Sequence, residues 1–171
     1  MKELRVGIAG LGRLGRVHAA NLAHKIPGAI LTAACVPGAD SQAYARQELG
    51  LEKVYGDFRE MVADPELDAV AIVSPSGEHC WQIEAALDAG KHVFSEKPLA
   101  ADMEEGDELI ELARKTGLHM GGAPDTFMGA GIQTVRKLVD DGYIGDIVAA
   151  NCAMTGTPAT RPSTTVRPEE M

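Results

Sequence analysis

Short apolar runs alternate with segments of helical periodicity along most of this 171-residue chain. Each apolar run has the length of a strand, and the segments between the runs carry apolar residues three and four positions apart. This alternation is typical of βαβ units, whose crossover helices cover both faces of a parallel sheet. We therefore predict an α/β fold with a doubly wound parallel sheet. The predicted strands are residues 4–9, 29–36, a short segment at 54, 69–73, 92–95 and 118–122.

The predicted helices lie between these strands and are bounded by ordinary capping residues. They cover residues 13–25, 41–49, 57–63, 76–90 and 102–116. Asp40 or Ser41 is the expected N-cap of the second helix, and Asp102 with Glu105 forms a capping-box-like start to the fifth. The strand at 69–73 is the most apolar, so we expect it at the centre of the sheet. Beyond Pro124 we predict a helix at 132–139 and a strand at 147–154.

Charge and cysteine content exclude several classes of function. Sixteen Lys and Arg against 25 Asp and Glu give a net charge of -9, so the chain repels a phosphate backbone and we expect no nucleic-acid partner. The three cysteines are scattered without paired spacing, which predicts neither a disulfide framework nor a metal site. No signal-peptide pattern precedes the first strand, and no apolar run approaches the roughly 20 residues of a membrane helix. We expect a cytoplasmic protein with no membrane contact.

A glycine-rich turn follows the first predicted strand and opens the first predicted helix. It reads Gly10, Leu11, Gly12, Arg13, Leu14, Gly15. In this context GxGxxG predicts dinucleotide binding. The first glycine permits the tight turn, the second lets the backbone approach a pyrophosphate, and the third allows close packing of helix and strand. The N–H groups at the start of the helix would bind the phosphates.

The second strand lacks the acidic residue that usually binds the adenosine ribose in such folds. Val36 stands in its place, and Asp40 comes several residues later, beyond a Pro-Gly turn. Three explanations remain open. Asp40 reaches the ribose, the cofactor is bound without that contact, or the cofactor is NADP and a base such as Arg46 meets its 2′-phosphate. The sequence therefore predicts NAD or NADP without choosing between them.

Two further segments lie where the fourth and fifth strands should end. The first begins Ser74, Pro75 and includes His79, and the second is Glu96, Lys97, Pro98 within DAGKHVFSEKPLA. With these segments, residues 4–155 resemble the glucose-fructose oxidoreductase, inositol dehydrogenase and rhizopine catabolism family (Gfo/Idh/MocA). The Glu-Lys-Pro triplet is that family's most characteristic motif. The opening GLGRLGRVHAANL is most similar to inositol 2-dehydrogenases, whereas GGAPDTFMGAGIQTVRKLVDDGYIG is similar to a broader set of members.

The resemblance implies a fold, a chemistry and roles for individual residues. The family joins a Rossmann domain to an open antiparallel sheet, uses NAD or NADP, and mostly oxidises sugars, inositols and related polyols. It implies that Lys97 contacts both the reacting hydroxyl and the nicotinamide ribose, as the catalytic residue, and that Glu96 helps to bind the cofactor. A cation at a strand end is suited to polarising that oxygen.

Further cofactor contacts are implied around the cleft. Ser74, Pro75 and His79 match the family's loop near the adenine and the nicotinamide ribose, although His79 is equally compatible with a structural helix-face position. Gly12, Arg13, Leu14 and Val36 complete the set of expected cofactor-binding residues, together with the flanking glycines of the turn. Pro98 is commonly associated with a cis peptide in this motif.

The domain organisation that follows is an NAD(P)-binding Rossmann domain at 1–123, the beginning of a C-terminal substrate domain at 124–156, and a disordered tail at 157–171. The family's second domain supplies an aspartate and a histidine for proton transfer, and these are not found in the sequence. We expect an NAD(P)-dependent polyol or sugar oxidoreductase in truncated form.

The alternative is a non-catalytic dinucleotide-binding module. A methyltransferase is disfavoured because Glu-Lys-Pro has no role there. An unpaired strand edge in the second domain also favours a homo-oligomer.

Overall fold

A computed structural model of the chain describes residues 3–151. The chain divides into two compact units, the first spanning Met1–Phe127 and the second beginning at Met128. The predicted tail, Cys152 and the last part of the strand predicted at 147–154 lie outside the described residues. Within residues 3–151, no helix is long and apolar enough to cross a membrane.

Six parallel strands form one sheet in the first unit, in the order β3-β2-β1-β4-β5-β6. Each strand reaches the next along the chain through a helix, so the predicted doubly wound α/β fold is confirmed. The strand β4 pairs with both β1 and β5, which confirms its central position. The strands are Leu4–Ala9 (β1), Ala29–Cys35 (β2), Lys53–Tyr55 (β3), Ala69–Ile72 (β4), His92–Ser95 (β5) and Met120–Gly122 (β6).

Among residues 3–151, five α-helices accompany the sheet, and a sixth lies in the second unit. They are Arg13–His24 (α1), Ala39–Gln47 (α2), Phe58–Val62 (α3), His79–Asp88 (α4), Met103–Thr116 (α5) and Ala130–Asp140 (α6). The N-cap predicted for α2 is wrong. The chain enters this helix at Gly38, directly after Pro37, so Asp40 and Ser41 already lie in its first turn. Asp102 does cap α5, accepting a 3.0 Å hydrogen bond from the Glu105 N–H.

The core consists of two apolar clusters that together bury both faces of the sheet. Side chains of α1 and α2 belong to one cluster and those of α3, α4 and α5 to the other. Within β4, Val70 and Ile72 belong to one cluster and Ala71 to the other. The strand is therefore buried on both sides, as its uninterrupted apolar sequence predicts.

A polar network stabilises the segment that precedes β4. The Asp64 carboxylate accepts hydrogen bonds from Lys53 Nζ at 2.7 Å and from the Tyr55 hydroxyl at 2.9 Å. Nearby, the buried Lys91 ammonium donates to the carbonyl oxygens of Asp64 and Leu67 at 2.8 and 2.9 Å. These contacts satisfy polar groups that burial would otherwise destabilise.

The described part of the second unit contains α6 and an irregular segment. The predicted helix at 132–139 is confirmed by α6, whose Arg136 and Lys137 form ion pairs with Asp140 and Asp141. The strand predicted at 147–154 is wrong in its described part, because residues 147–151 form no strand. An apolar run becomes a strand only when a neighbouring strand pairs with its backbone, and residues 147–151 pair with none.

Candidate cofactor-binding and active site

The turn between β1 and α1 requires glycine at two positions. Gly10 has φ of +93°, and a Cβ built on it would lie 2.5 Å from the Val73 carbonyl oxygen. A Cβ built on Gly15 would lie 2.2 Å from the Gly10 carbonyl oxygen. Both distances are far inside van der Waals contact, so any side chain here would displace backbone. Gly10 and Gly15 thus hold β1, β4 and α1 in close contact.

The middle glycine of the motif faces open space. No atom lies within 4 Å of a Cβ built on Gly12, and this residue is the N-cap of α1 with no side chain to accept from the first turn. The N–H groups at the start of a helix have no partner within it. Gly12, Arg13 and Leu14 therefore border a space where backbone N–H groups and the helix dipole favour an anion.

These residues line a cleft of about 420 Å³ at the carboxyl ends of β1, β2 and β4. A second lobe of about 420 Å³ shares Gly10, Pro37, Ser74 and Pro75 with it. The structure thus brings most of the expected cofactor-binding residues to one place. The first lobe is lined by residues 10–15, 36–38 and 73–75 with Ser41, and the second also by Cys35, residues 56–58, Glu78, Trp81 and Gln82.

Val36 occupies the position of the missing acid without offering a polar side chain. It is 2% exposed, its N–H donates to the Tyr55 carbonyl, and its carbonyl accepts from Gln42 Nε2 at 3.0 Å. Asp40 is exposed in the first turn of α2. Arg46 lies eight residues beyond Gly38, about 12 Å along the helix axis at 1.5 Å per residue. Arg46 is therefore at the opposite end of α2 from the cleft.

The loop after β4 is fixed to its neighbours by hydrogen bonds. The Val73 N–H donates to the Ala9 carbonyl at 2.8 Å, and the Ser74 hydroxyl donates to Gln82 Oε1 at 2.6 Å. Trp81 closes the second lobe, with its indole N–H donating to Glu78 at 2.7 Å and its ring edge-on to Phe58. The wall of the cleft is thus held before any ligand is present.

The loop after β5 carries Glu96 and lies beside the loop after β4. The Glu96 N–H donates to the Ile72 carbonyl at 2.9 Å, and Glu96 Oε1 lies 2.9 Å from Nε2 of His18 in α1. Burial raises the pKa of Glu96, but the hydrogen bonds from His18 and the Lys97 N–H, together with the charges of these two residues, outweigh burial, and the net effect is a lowered pKa. Glu96 is thus held as a carboxylate between α1 and the Lys97 backbone.

Lys97 is exposed and follows Glu96 at the same edge of the sheet. Among residues 3–151 its ammonium forms no ion pair, and it is not among the residues lining the two lobes. Lys97 lies in the loop that follows β5, and β5 is the neighbour of β4 in the sheet. The Lys97–Pro98 peptide is cis, as the motif implies, and so is Ala123–Pro124.

His79 differs in its placement from the lining residues. His79 is 1% exposed, and both nitrogens of its ring contact backbone carbonyl oxygens. Nδ1 lies 2.7 Å from the Pro98 oxygen, and Nε2 lies 2.9 Å from the Ser74 oxygen. The structure therefore places His79 behind the cleft, between the loops that follow β4 and β5.

His18 is a site residue that reading the sequence missed, because it has no metal-ligand spacing. A weaker signal was present. Gly15 faces the sheet, and His18 is three residues later, on the same face of α1. A polar side chain at that position points toward the carboxyl edge of the sheet, where Glu96 lies.

Comparison with known proteins agrees with this geometry. A family model described as an oxidoreductase family with an NAD-binding Rossmann fold matches residues 4–121, which include the glycine turn and the Glu96-Lys97-Pro98 triplet. The chain belongs to this family. The Gfo/Idh/MocA resemblance seen in the sequence is thereby confirmed, together with the NAD-binding Rossmann fold.

Several members of the family are similar in sequence and structure. A myo-inositol 2-dehydrogenase of Thermotoga maritima is 34% identical over 142 residues, covering 83% of this chain and 42% of that protein. A scyllo-inositol 2-dehydrogenase (NAD(+)) of Bacillus subtilis is 40% identical over 116 residues, 68% of this chain and 34% of that one. A crystal structure of scyllo-inositol dehydrogenase from Lactobacillus casei with bound NAD(H) and scyllo-inositol matches with a TM-score of 0.80 and 44% identity, covering 85% and 43% of the two chains. This Gfo/Idh/MocA chain thus spans less than half the length of these relatives.

Proposed function

We propose that the chain provides the cofactor-binding part of an NAD-dependent oxidoreductase that oxidises a hydroxyl of an inositol-like polyol. One observation carries this proposal. The strand order places the glycine turn after β1, the Ser74 loop after β4 and Lys97 after β5 at successive positions along one edge of the sheet. Ligands of doubly wound sheets bind at this edge. The names of the inositol dehydrogenase relatives support the choice of substrate class.

The residues of the cleft fit a dinucleotide. Gly12 leaves room for a pyrophosphate where a Cβ would intrude, and the first-turn N–H groups of α1 would bind its oxygens. Ser74 and Pro75 would contact the ribose of the bound cofactor from the loop after β4. When bound, NAD supplies a ring that accepts hydride from the substrate carbon.

Lys97 is the proposed catalytic residue. Its exposed ammonium would contact the substrate hydroxyl and stabilise negative charge on the hydroxyl oxygen. Glu96, held as a carboxylate by His18, would orient the backbone that bears Lys97 and contribute to the binding of the cofactor. These two roles separate turnover, which depends on Lys97, from cofactor affinity, which depends mainly on the glycine turn.

NAD is favoured over NADP by the groups beside Val36. The buried Val36 offers no positive charge, Arg46 lies at the far end of α2, and Asp40 adds a carboxylate to the first turn of that helix. A 2′-phosphate near Asp40 would be repelled, whereas the ribose hydroxyls of NAD would not.

Calorimetric titration of the purified chain with NAD and with NADP tests the proposal. We expect saturable binding of NAD, with NADP at least tenfold weaker. We expect Lys97→Ala to lower NAD affinity by no more than about tenfold and to abolish oxidation of myo- and scyllo-inositol. No NAD binding at millimolar concentration would overturn the proposal, and preferential binding of NADP would overturn the choice of cofactor.

A non-catalytic dinucleotide-binding module is the second candidate. It is favoured by α6, none of whose side chains is buried, so that this helix packs into no core within the described residues. Saturable NAD binding with no oxidation of any polyol would support it. We also propose a cytoplasmic homo-oligomer, because Ile132, Val135 and Leu138 of α6 are exposed apolar residues. Light scattering of the purified chain and cell fractionation test this proposal.

A further inference from the structure

His79 joins two backbone segments that flank the proposed site. It is the first residue of α4, it is 1% exposed, and its ring lies between the carbonyl oxygens of Ser74 and Pro98. Ser74 lies in the wall of the cofactor cleft, and Pro98 directly follows Lys97. A single side chain therefore spans from the cleft wall to the segment bearing the proposed catalytic residue.

The two segments depend on His79 to different extents. Ser74 is also held by Gln82, and the preceding residue by the Ala9 carbonyl. The Pro98 carbonyl, by contrast, accepts no other hydrogen bond from residues 3–151. On the N-terminal side of Lys97, Glu96 is held by the Ile72 carbonyl and by His18. On the C-terminal side, the polar contact is that of His79 with the Pro98 carbonyl. Loss of the Nδ1 contact should therefore increase the mobility of the Lys97-Pro98 segment. Loss of the Nε2 contact should affect the Ser74 loop less, because that loop keeps its other hydrogen bonds.

We propose that His79 is a positioning residue that fixes the Lys97-Pro98 segment relative to the cofactor cleft, through the contacts of its two ring nitrogens with the Pro98 and Ser74 carbonyl oxygens. Carbonyl oxygens only accept, so each ring nitrogen donates to the oxygen that it faces when that nitrogen carries hydrogen. This inference rests on the proposed NAD-binding function. It differs from a direct cofactor contact, because the imidazole is buried and both nitrogens face the protein backbone.

Two substitutions separate the two contacts while keeping a polar side chain. The amide nitrogen of Asn takes the place of Nδ1, and that of Gln takes the place of Nε2. His79→Asn therefore keeps a donor for Pro98 and loses the one for Ser74. His79→Gln keeps a donor for Ser74 and loses the one for Pro98. His24→Gln, at an exposed position in the last turn of α1, is the matched control.

Calorimetric titration with NAD and with ADP-ribose, which lacks the nicotinamide, tests the proposal. For His79→Gln we expect NAD affinity to fall about three- to tenfold, as for the loss of one hydrogen bond, with ADP-ribose affinity unchanged within twofold. For His79→Asn and His24→Gln we expect both affinities to stay within twofold of wild type. Equal losses for both ligands, or wild-type NAD binding by His79→Gln, would overturn the positioning role.

An amide NMR spectrum of the free protein gives a readout that does not depend on cofactor binding. Compared with each other, so that loss of the imidazole ring is common to both variants, His79→Gln should shift the amides of Lys97 and Leu99 further, and His79→Asn those of Ser74 and Ser76. Equal shifts of both segments in the two variants would overturn the proposal even if the fold is retained. If wild type binds no NAD, the proposed function fails, and this spectrum still decides whether His79 holds the two segments.

Discussion

The imidazole Nε2 of His18 lies 2.9 Å from Oε1 of Glu96, across 78 residues of sequence. This contact joins the helix that follows the glycine turn to the loop that carries Lys97. Because α1 also provides the N–H groups at the cleft, the contact connects the proposed phosphate site with the proposed catalytic segment. The contact also lowers the pKa of Glu96, so its effect is measurable by titration of that carboxyl group.

Removal of the His18 side chain should raise the pKa of Glu96. Burial opposes ionisation of this carboxyl, and the hydrogen bond from His18 is the largest of the influences that lower its pKa. We expect His18→Ala to raise the pKa of Glu96, and His18→Gln to raise it less, because the Gln amide still donates. Titration followed by carboxyl carbon NMR measures this, with His24→Ala as control. The same Glu96 pKa in wild type and His18→Ala would contradict the assigned contact.

Alanine substitution at two helical glycines should change stability in opposite directions. In α1 a Cβ on Gly15 would lie 2.2 Å from the Gly10 carbonyl oxygen, whereas in α5 nothing lies within 4 Å of a Cβ on Gly106. We expect Gly15→Ala to lower the free energy of unfolding by about 2–4 kcal/mol. Gly106→Ala should raise it by about 0.5–1 kcal/mol through helix propensity. Urea denaturation gives both values, and a stabilising Gly15→Ala would show that α1 does not pack as described.

Substitution of the middle glycine should affect binding more than folding. Gly12 has φ of -66° and an open Cβ position, so alanine fits the free protein. We expect Gly12→Ala to lower stability by at most about 1 kcal/mol, the difference between Gly and Ala as N-cap. NAD affinity should fall at least tenfold, because the methyl group takes the space of the pyrophosphate. Gly77→Ala, at another open position outside both lobes, should leave affinity unchanged. Wild-type affinity of Gly12→Ala would place the phosphates elsewhere.

Asp64 should make stability depend on pH in the acid range. The hydrogen bond from Lys53, with those from the Glu66 N–H and Tyr55, lowers the pKa of Asp64 from 3.8 to about 2 despite burial. Because the folded pKa is below the unfolded one, this stabilisation is present above about pH 4 and is lost as the pH falls toward 2. We expect Asp64→Asn to be less stable than wild type at pH 6 and to lose less stability between pH 4 and 2.

Urea denaturation at several pH values checks the behaviour of Asp64. Asp88→Asn serves as the matched control, because Asp88 is exposed at the end of α4. This variant should follow the wild-type curve. An Asp64→Asn curve parallel to that of wild type through the acid range would show that Asp64 has an ordinary pKa in the folded protein.

The fold and the binding motif were predictable because each depends on local sequence. Alternation of periodicity predicted the six strands, and the spacing of Gly10, Gly12 and Gly15 predicted their separate roles. The wrong predictions concern segments whose structure depends on more than their own residue types. The segment at 147–151 has strand-forming residues but forms no strand, since pairing requires a second strand. The start of α2 was misplaced because Gly38 serves as N-cap in place of a polar side chain.

The doubly wound sheet, the glycine turn and the family motif at Glu96-Lys97-Pro98 are predictable from the amino-acid sequence, because hydrophobic periodicity and backbone freedom act over a few residues. Their surroundings depend on contacts between segments that are distant in the chain. The pairing of His18 with Glu96 and the position of His79 between Ser74 and Pro98 depend on which strand ends become neighbours. That is set by the order of strands in the sheet, where β4 lies beside β1 although two other strands and their helices separate them in the chain.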